Sequence, residues 1–288
     1  MRLHPVLLGV VLVIGATASP SAETTDSELP AWCVHDKDFS KQLKASISGL
    51  IQKKATLDST LFHQQLDKKT CGLSLPPAPT REMSGEQLYE ACRDGVLVVG
   101  KQFQCDRCSR THVSTASGFV ITESGAFVTS YHVVDDPKMD GMVVMTRTGQ
   151  TYGIKEVLAA DKMNDFAILQ LDGTGFQPLP LSREAPVGSI VYVISHPDQN
   201  HYVMTQGMVS RYALVDRKNT ASVKLMSITA DFAKGSSGAP ILNSRGAVVG
   251  IVRQTESIYY SEENHVKTDL QMVIKECTPV SFIRETIR

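Results

Sequence analysis

Three passages of this chain carry residue types that could perform acyl transfer. The first is Lys234-Gly235-Ser236-Ser237-Gly238-Ala239-Pro240. A serine between glycines can sit on a tight turn with its backbone N–H groups facing inward, because glycine tolerates the dihedrals such a turn needs. Inward amides form an oxyanion hole, where losing one donor costs about 100- to 1000-fold in rate. Read alone, the passage is equally a Gly/Ser-rich hairpin loop. The second passage, Thr129-Ser130-Tyr131-His132-Val133-Val134, puts a histidine at the end of a β-run. An imidazole that titrates near neutrality can take a serine's proton and later return it; the competing reading is a plain surface histidine. The third, Asp165-Phe166-Ala167-Ile168-Leu169, sets a carboxylate directly before an apolar strand. There it is either a turn former or the group that orients a histidine.

The elements that would position these residues are β-rich. From Gly95 onward, short apolar runs alternate with turn residues, among them residues 96–99, 118–121, 142–145, 166–169, 190–193, 202–204, 223–226, 239–242, 248–251 and 272–274. At least ten strands so spaced predict an antiparallel sandwich or barrel pair. Upstream, Phe39, Leu43, Ile47, Leu50, Ile51, Leu57, Leu61, Phe62 and Leu66 recur at spacings of three and four. That pattern predicts helix over 31–71, broken at Gly49 or near Ala55-Thr56 into a hairpin. Pro76-Pro77-Ala78-Pro79 marks a linker, and Ser84 with Gln87 forms a capping-box pair that opens a helix over about 85–93. Thr278-Pro279 should start a closing helix through Ile287.

Residues 1–22 combine Arg2, an apolar stretch from Val6 to Ile14 and the small-x-small triplet Ala16-Thr17-Ala18. They read as a cleaved secretory signal, which predicts a secreted or periplasmic protein. The domain plan expected is thus a signal at 1–22, a helical segment at 23–75, a linker at 76–83 and a β-rich domain at 84–288. The whole chain has 29 basic and 30 acidic residues, a net charge of −1 and 42% hydrophobic residues. The charge balance argues against nucleic-acid binding through a general positive field. No apolar run reaches the roughly 18–20 residues a membrane span needs, so no transmembrane anchor is expected.

In their order and spacing the three passages resemble the trypsin-like serine proteases, most closely the HtrA/Deg branch. That branch shows T-x-x-H-V-V, D-[LIF]-A-[ILV]-L and G-N-S-G-G-P motifs. The gaps here are 33 residues from His132 to Asp165 and 72 from Asp165 to Ser237. The order His, Asp, Ser also separates this chain from the subtilisin and α/β-hydrolase arrangements. The resemblance spans about 85–288 and implies a chymotrypsin-like, all-β fold of two antiparallel six-stranded barrels, at about 95–172 and 185–277, followed by a helix over 278–288.

The resemblance further implies that Ser237 is the nucleophile, His132 the general base and then acid, and Asp165 the group that holds the imidazole. The amides of Gly235 and Ser237 would form the oxyanion hole. The chain would be an exported serine endopeptidase acting on proteins or peptides through an acyl-enzyme; the alternative is a degenerate relative that only binds them. Ser236 stands where the family has Asn or Asp, and Ala239 replaces its second Gly. HtrA proteins usually add a PDZ domain after the protease, and this chain is expected to lack one. Its N-terminal helical segment is then a partner-binding arm, a lid or a stabiliser.

The resemblance also implies that residues 228–234 and 251–254 wall the pocket for the substrate side chain. Asp231, six residues before Ser237, is either a selector for Lys or Arg side chains or a structural carboxylate. Arg253 and Lys234 would add positive charge near the cleft or simply be solvated, and residues 257–267 read as a loop bordering the pocket. His196 and His201 read as surface or loop residues. In an exported chain six cysteines suggest disulfides. Position alone pairs Cys33 with Cys71, Cys92 with Cys277 and Cys105 with Cys108. Cys105–Cys108 reads as a tight local disulfide at a hairpin tip; a zinc pair helped by His112 lacks a second cysteine pair, and a redox CxxC lacks its usual helix start. No metal and no cofactor are therefore expected.

Overall fold

The computed structural model describes residues 30, 32–105, 108, 110–216, 221–263 and 265–288. The contacts divide the chain into Met1–Cys33, of which only residues 30, 32 and 33 are described, and Val34–Arg288. The signal segment 1–22 lies outside the described residues. Apart from Cys33, everything below concerns Val34–Arg288.

Helix α1 (Asp36–Gln52) begins with Asp36 and Asp38 in its first turn, where carboxylates suit the positive end of the helix dipole. Phe39, Leu43 and Ile47, four apart, fall on one face and are buried against β1 and β4 of the sheet described next. Each such side chain contributes about 2 kcal/mol by leaving water. The chain breaks after Lys53, and α2 (Ser59–Gln65) restarts with the Asp58 carboxylate accepting the Leu61 N–H at 2.8 Å. Of the two expected break points, the one near Ala55-Thr56 is used, and Gly49 stays inside α1. Helix α3 (Gly85–Cys92) has both reciprocal bonds of the Ser84/Gln87 capping box.

Barrel 1 contains β1 (Val96–Gln104), β2 (Thr111–Val120), β3 (Ala126–Thr129), β4 (Met139–Met145), β5 (Thr151–Asp161) and β6 (Phe166–Leu171). They close in the order β1-β2-β3-β6-β5-β4, all antiparallel, with the one-turn helix α4 (Tyr131–Val134) after β3. Barrel 2 contains β7 (Ile190–Ser195), β8 (Val203–Val215), β9 (Val223–Ile228), β10 (Pro240–Asn243), β11 (Val248–Glu263) and β12 (Val266–Pro279), closing as β10-β11-β12-β9-β8-β7. The expected pair of six-stranded barrels is therefore present. Strand β5 had no expectation attached to it: its pairing with β6 shifts register twice, and the bulges destroy the period-two alternation that would reveal a strand. Helix α5 (Val280–Thr286) follows β12 directly, with Pro279 as its N-cap rather than its first helical residue.

Each barrel has its own apolar interior, built around Leu97, Val99 and Phe127 in the first and Val193, Met226 and Ile241 in the second. A third cluster joins them. Phe119 and Ile168 of barrel 1 meet Tyr192, Ile194 and Leu242 of barrel 2, together with Leu43, Leu88 and Ile283 from α1, α3 and α5. This shared core fixes one barrel against the other, and the site lies at that junction.

Three expectations are corrected. The described residues of 257–267 are mostly strand rather than loop: β11 and β12 continue outward as a two-stranded ribbon, paired as far as Glu263↔Val266, and none of these described residues lines the central cleft. His196 and His201 lie in loop segments as expected, but they are buried rather than at the surface. No disulfide joins any of the six cysteines. Cys92 packs in the inter-barrel core with its thiol toward the Gly246 carbonyl, whereas Cys277 lies inside barrel 2 with its thiol toward the Lys275 carbonyl. Those two thiols point into different cores and do not meet. Neither Cys33–Cys71 nor Cys105–Cys108 is a disulfide.

Candidate active site

His132 is carried by α4, and its position follows from its neighbours. Val133 and Val134 are buried in the barrel 1 core, so the short helix is pinned and His132 faces the cleft, half exposed. Ser130 donates to the Val252 carbonyl at 3.1 Å, tying this turn to barrel 2. Asp165 ends the turn between β5 and β6 with φ of +58°, a left-handed conformation that Asp adopts more readily than most residues. Its side chain is almost wholly buried. It accepts the His132 backbone N–H at 2.9 Å, and His132 Nδ1 lies 2.9 Å from Oδ2 and 3.1 Å from Oδ1.

The serine turn is set by backbone. Gly235 and Gly238 have φ of +97° and +84°, and a Cβ on either would collide, at 2.5 Å with the His196 carbonyl and at 2.4 Å with the Ser117 carbonyl. Both positions therefore require glycine on two independent counts. Ser117 of β2 buttresses the turn, its N–H donating to Ser237 O at 3.0 Å and its hydroxyl to Gly235 O at 2.9 Å. Ser236, fully buried, donates to the Ser195 hydroxyl at 3.0 Å. Among the described residues the amides of Gly235 and Ser237 have no protein partner. Nor does a hydrogen bond join Ser237 Oγ to His132 Nε2; such contacts are often long before substrate binds.

Ser237, His132 and Asp165 line one cleft of about 590 Å³, walled on the barrel 2 side by Phe232, Ala233 and Val252 with Lys234 at its rim. The two expected selectivity residues fare differently. Asp231 is exposed, is paired with Lys275 at 3.3 Å and does not line the cleft. Arg253 is neither solvated nor at the rim. Only 4% exposed, it puts Nε 3.8 Å from Asp165 Oδ2 and Nη2 3.4 Å from the Met163 carbonyl. A buried cation thus stands behind the carboxylate that faces His132. Sequence reading missed Ser117 and Ser195, because nothing in a β-run announces that its serine supports a turn about 120 or 40 residues away.

Behind the serine turn lies a buried imidazole pair. His196 Nδ1 accepts the Tyr202 N–H at 3.1 Å, and His201 Nδ1 meets the Asp36 carboxylate of α1 at 2.9 Å. Burial, helped by His201, pushes the His196 imidazole down to about 3. Burial also lowers His201, against the opposing pull of Asp36.

Residues 116–251 match the trypsin-like peptidase domain family. The chain is 28% identical to the serine endoprotease DegS of Escherichia coli over 138 residues, 47% of this chain and 38% of that protein. It is 26% identical over 260 residues to a protein of Pseudomonas savastanoi pv. phaseolicola named "Probable periplasmic serine endoprotease DegP-like", covering 88% of this chain and 49% of the relative. The crystal structure of a serine endoprotease from Yersinia pestis aligns with a TM-score of 0.51 at 20% identity, over 72% of this chain and 66% of that one. The chain thus spans half or less of the length of these curated relatives. Two antiparallel barrels with this domain match make the chain similar to the class of trypsin-like serine proteases. Within that class its likeness is to the HtrA/Deg type.

Proposed function

We propose that this chain is an exported serine endopeptidase that hydrolyses peptide bonds through Ser237, His132 and Asp165. The observation that carries the proposal is the Asp165 carboxylate, bonded at 2.9 Å to His132 Nδ1 in the same cleft as a serine beside two unbonded amides. With Nδ1–H donated to Asp165, Nε2 is left as the acceptor that faces substrate. Ser237 Oγ adds to the scissile carbonyl and its proton passes to Nε2. The new oxyanion accepts hydrogen bonds from the Gly235 and Ser237 amides. Collapse transfers that proton to the leaving amine and leaves an acyl-enzyme, which water hydrolyses with His132 as base again. The cleft wall of Phe232, Ala233 and Val252 favours an apolar side chain at the cut, and the exposed, Lys275-paired Asp231 speaks against a Lys or Arg selector. Export is supported by residues 1–22 and by the periplasmic naming of the DegP-like relative.

The test is labelling by a fluorophosphonate, which reacts only with an activated serine. The wild-type chain should be labelled at Ser237, and Ser237→Ala should abolish both labelling and casein hydrolysis, a loss of about 10⁵-fold or more, with an unchanged circular dichroism spectrum. An unlabelled wild-type chain that still binds casein would establish the binding-only alternative.

A further inference from the structure

We infer that the tip of the β1–β2 hairpin is a zinc site, with Cys105, Cys108 and His112 as its three protein ligands. The inference is independent of the protease reading, because the tip belongs to neither the cleft nor the serine turn. Register brings the ligands together. Phe103 pairs with His112 and Gln104 with Thr111, and the Cys105 N–H donates to the Arg110 carbonyl at 3.0 Å, extending the ladder by one step. Alternation along β1 puts Cys105 on the same face as Phe103, and cross-strand pairing puts His112 there too. Cys108 reaches the same spot from the turn, its Sγ 3.0 Å from His112 Nε2. The three ligand atoms all lie within 4.8 Å of one another.

Tetrahedral zinc, with bonds of about 2.3 Å to sulfur and about 2.0–2.1 Å to nitrogen, needs neighbouring donors roughly 3.6–3.8 Å apart. The Cys108–His112 contact is shorter than that spacing and no pair exceeds it by more than about 1 Å, so side-chain movements of about an ångström or less suffice. The imidazole is also preset. Its ring stacks on Phe103 with centroids 5.9 Å apart and planes 24° off parallel, while Nε2 faces the thiols. A local disulfide would make no use of an imidazole held in this way. Cys108 and His112 are exposed, so the ion can enter from solvent and its fourth position is open to water or to a donor from a partner. Two thiolates and a neutral imidazole suit zinc better than the oxygen-seeking calcium or magnesium.

The site bears on the rest of the molecule through β2. Ser117, which holds the serine turn by two hydrogen bonds, is five residues along that strand from His112, about 17 Å away. A metal at the tip keeps the two strands in register over that span.

The full chain, reduced and stripped of metal, is titrated with cobalt and then with zinc. One equivalent of cobalt should produce thiolate-to-metal charge-transfer absorption, which zinc then abolishes, and zinc should raise the melting temperature. Cys108→Ser and His112→Ala, both at exposed positions, should each weaken binding by about 10- to 100-fold or more, whereas Cys33→Ser should leave it unchanged. Three results would overturn the inference: no saturable cobalt absorption in the wild-type chain, full affinity retained in Cys108→Ser or His112→Ala, or a Cys105–Cys108 disulfide in protein isolated without reductant.

Discussion

Barrel 1 delivers its part of the site as two side chains already joined, His132 and Asp165, each anchored by apolar neighbours in sequence and locked together by the Asp165 carboxylate. Barrel 2 delivers Ser237 through the backbone: two glycines at positive φ, a buried serine and amides without protein partners. One half depends on side-chain hydrogen bonds and the other on dihedrals and close approach. A site assembled in these two ways fails in two ways. Losing a group on the barrel 1 side should remove chemistry and spare the fold. Changing the barrel 2 turn should disturb geometry and stability together.

The largest effect after loss of Ser237 itself is expected for Asp165→Asn. Its amide can present an N–H to Nδ1 and favour the wrong tautomer, so kcat should fall about 10³- to 10⁴-fold while the melting temperature moves little. A kcat within tenfold of wild type would break the account of barrel 1. Gly235→Ala tests the other half. The added methyl meets the His196 carbonyl in a backbone conformation that alanine avoids, so labelling by the fluorophosphonate should drop about 10²- to 10³-fold and the protein should also lose stability. Normal stability with slow labelling would mean that the turn yields without cost, contrary to the argument.

A pH titration of stability sharpens the contrast. In the unfolded chain His196 binds a proton as pH falls through 6.5, but in the folded protein it resists until about 3. The unfolded state thus holds more protons across that window, and stability must decline as pH drops through it, by up to about 1.4 kcal/mol per pH unit from this group. His196→Asn, which keeps an acceptor for the Tyr202 N–H, should flatten the slope in urea-unfolding midpoints measured from pH 7 to 4. An unchanged slope would assign the acid sensitivity elsewhere. The smallest expected effect is that of Ser236→Ala, which removes the hydroxyl donated to Ser195 and should cost about 1 kcal/mol with kcat within a fewfold. A large kcat loss would show that Ser236 shapes the turn more than one hydrogen bond accounts for.

Much of this site could be read from local sequence. His132 and Asp165 sit in short motifs whose flanking apolar residues, Val133, Val134 and Phe166, dictate where the polar side chain must point. The glycines of the serine turn announce an unusual backbone, and the Ser84/Gln87 cap and the 3.6-residue stripe of α1 likewise involve residues within a turn or two of each other. The failures are of the opposite kind. Arg253 looked like a solvated charge, yet a carboxylate 88 residues earlier in the chain draws it into the interior. His196 and His201 do lie outside helix and strand, yet both are buried, and α1 supplies Asp36 to His201.

The cysteines show where that boundary lies. The number of cysteines and the short spacing of Cys105 and Cys108 are plain in the sequence, as are most of the β-strands, the N-terminal helices and the order of the reactive residues, since periodicity and turn chemistry act over a few residues. Only the tertiary structure decided that Cys92 and Cys277 face separate cores, that His112 stands across a ladder from Phe103 beside two thiols, and that Ser117 props a turn 120 residues downstream. Those outcomes rest on strand register and barrel closure, which bring distant residues together through the packing of a whole core, and no local pattern encodes them.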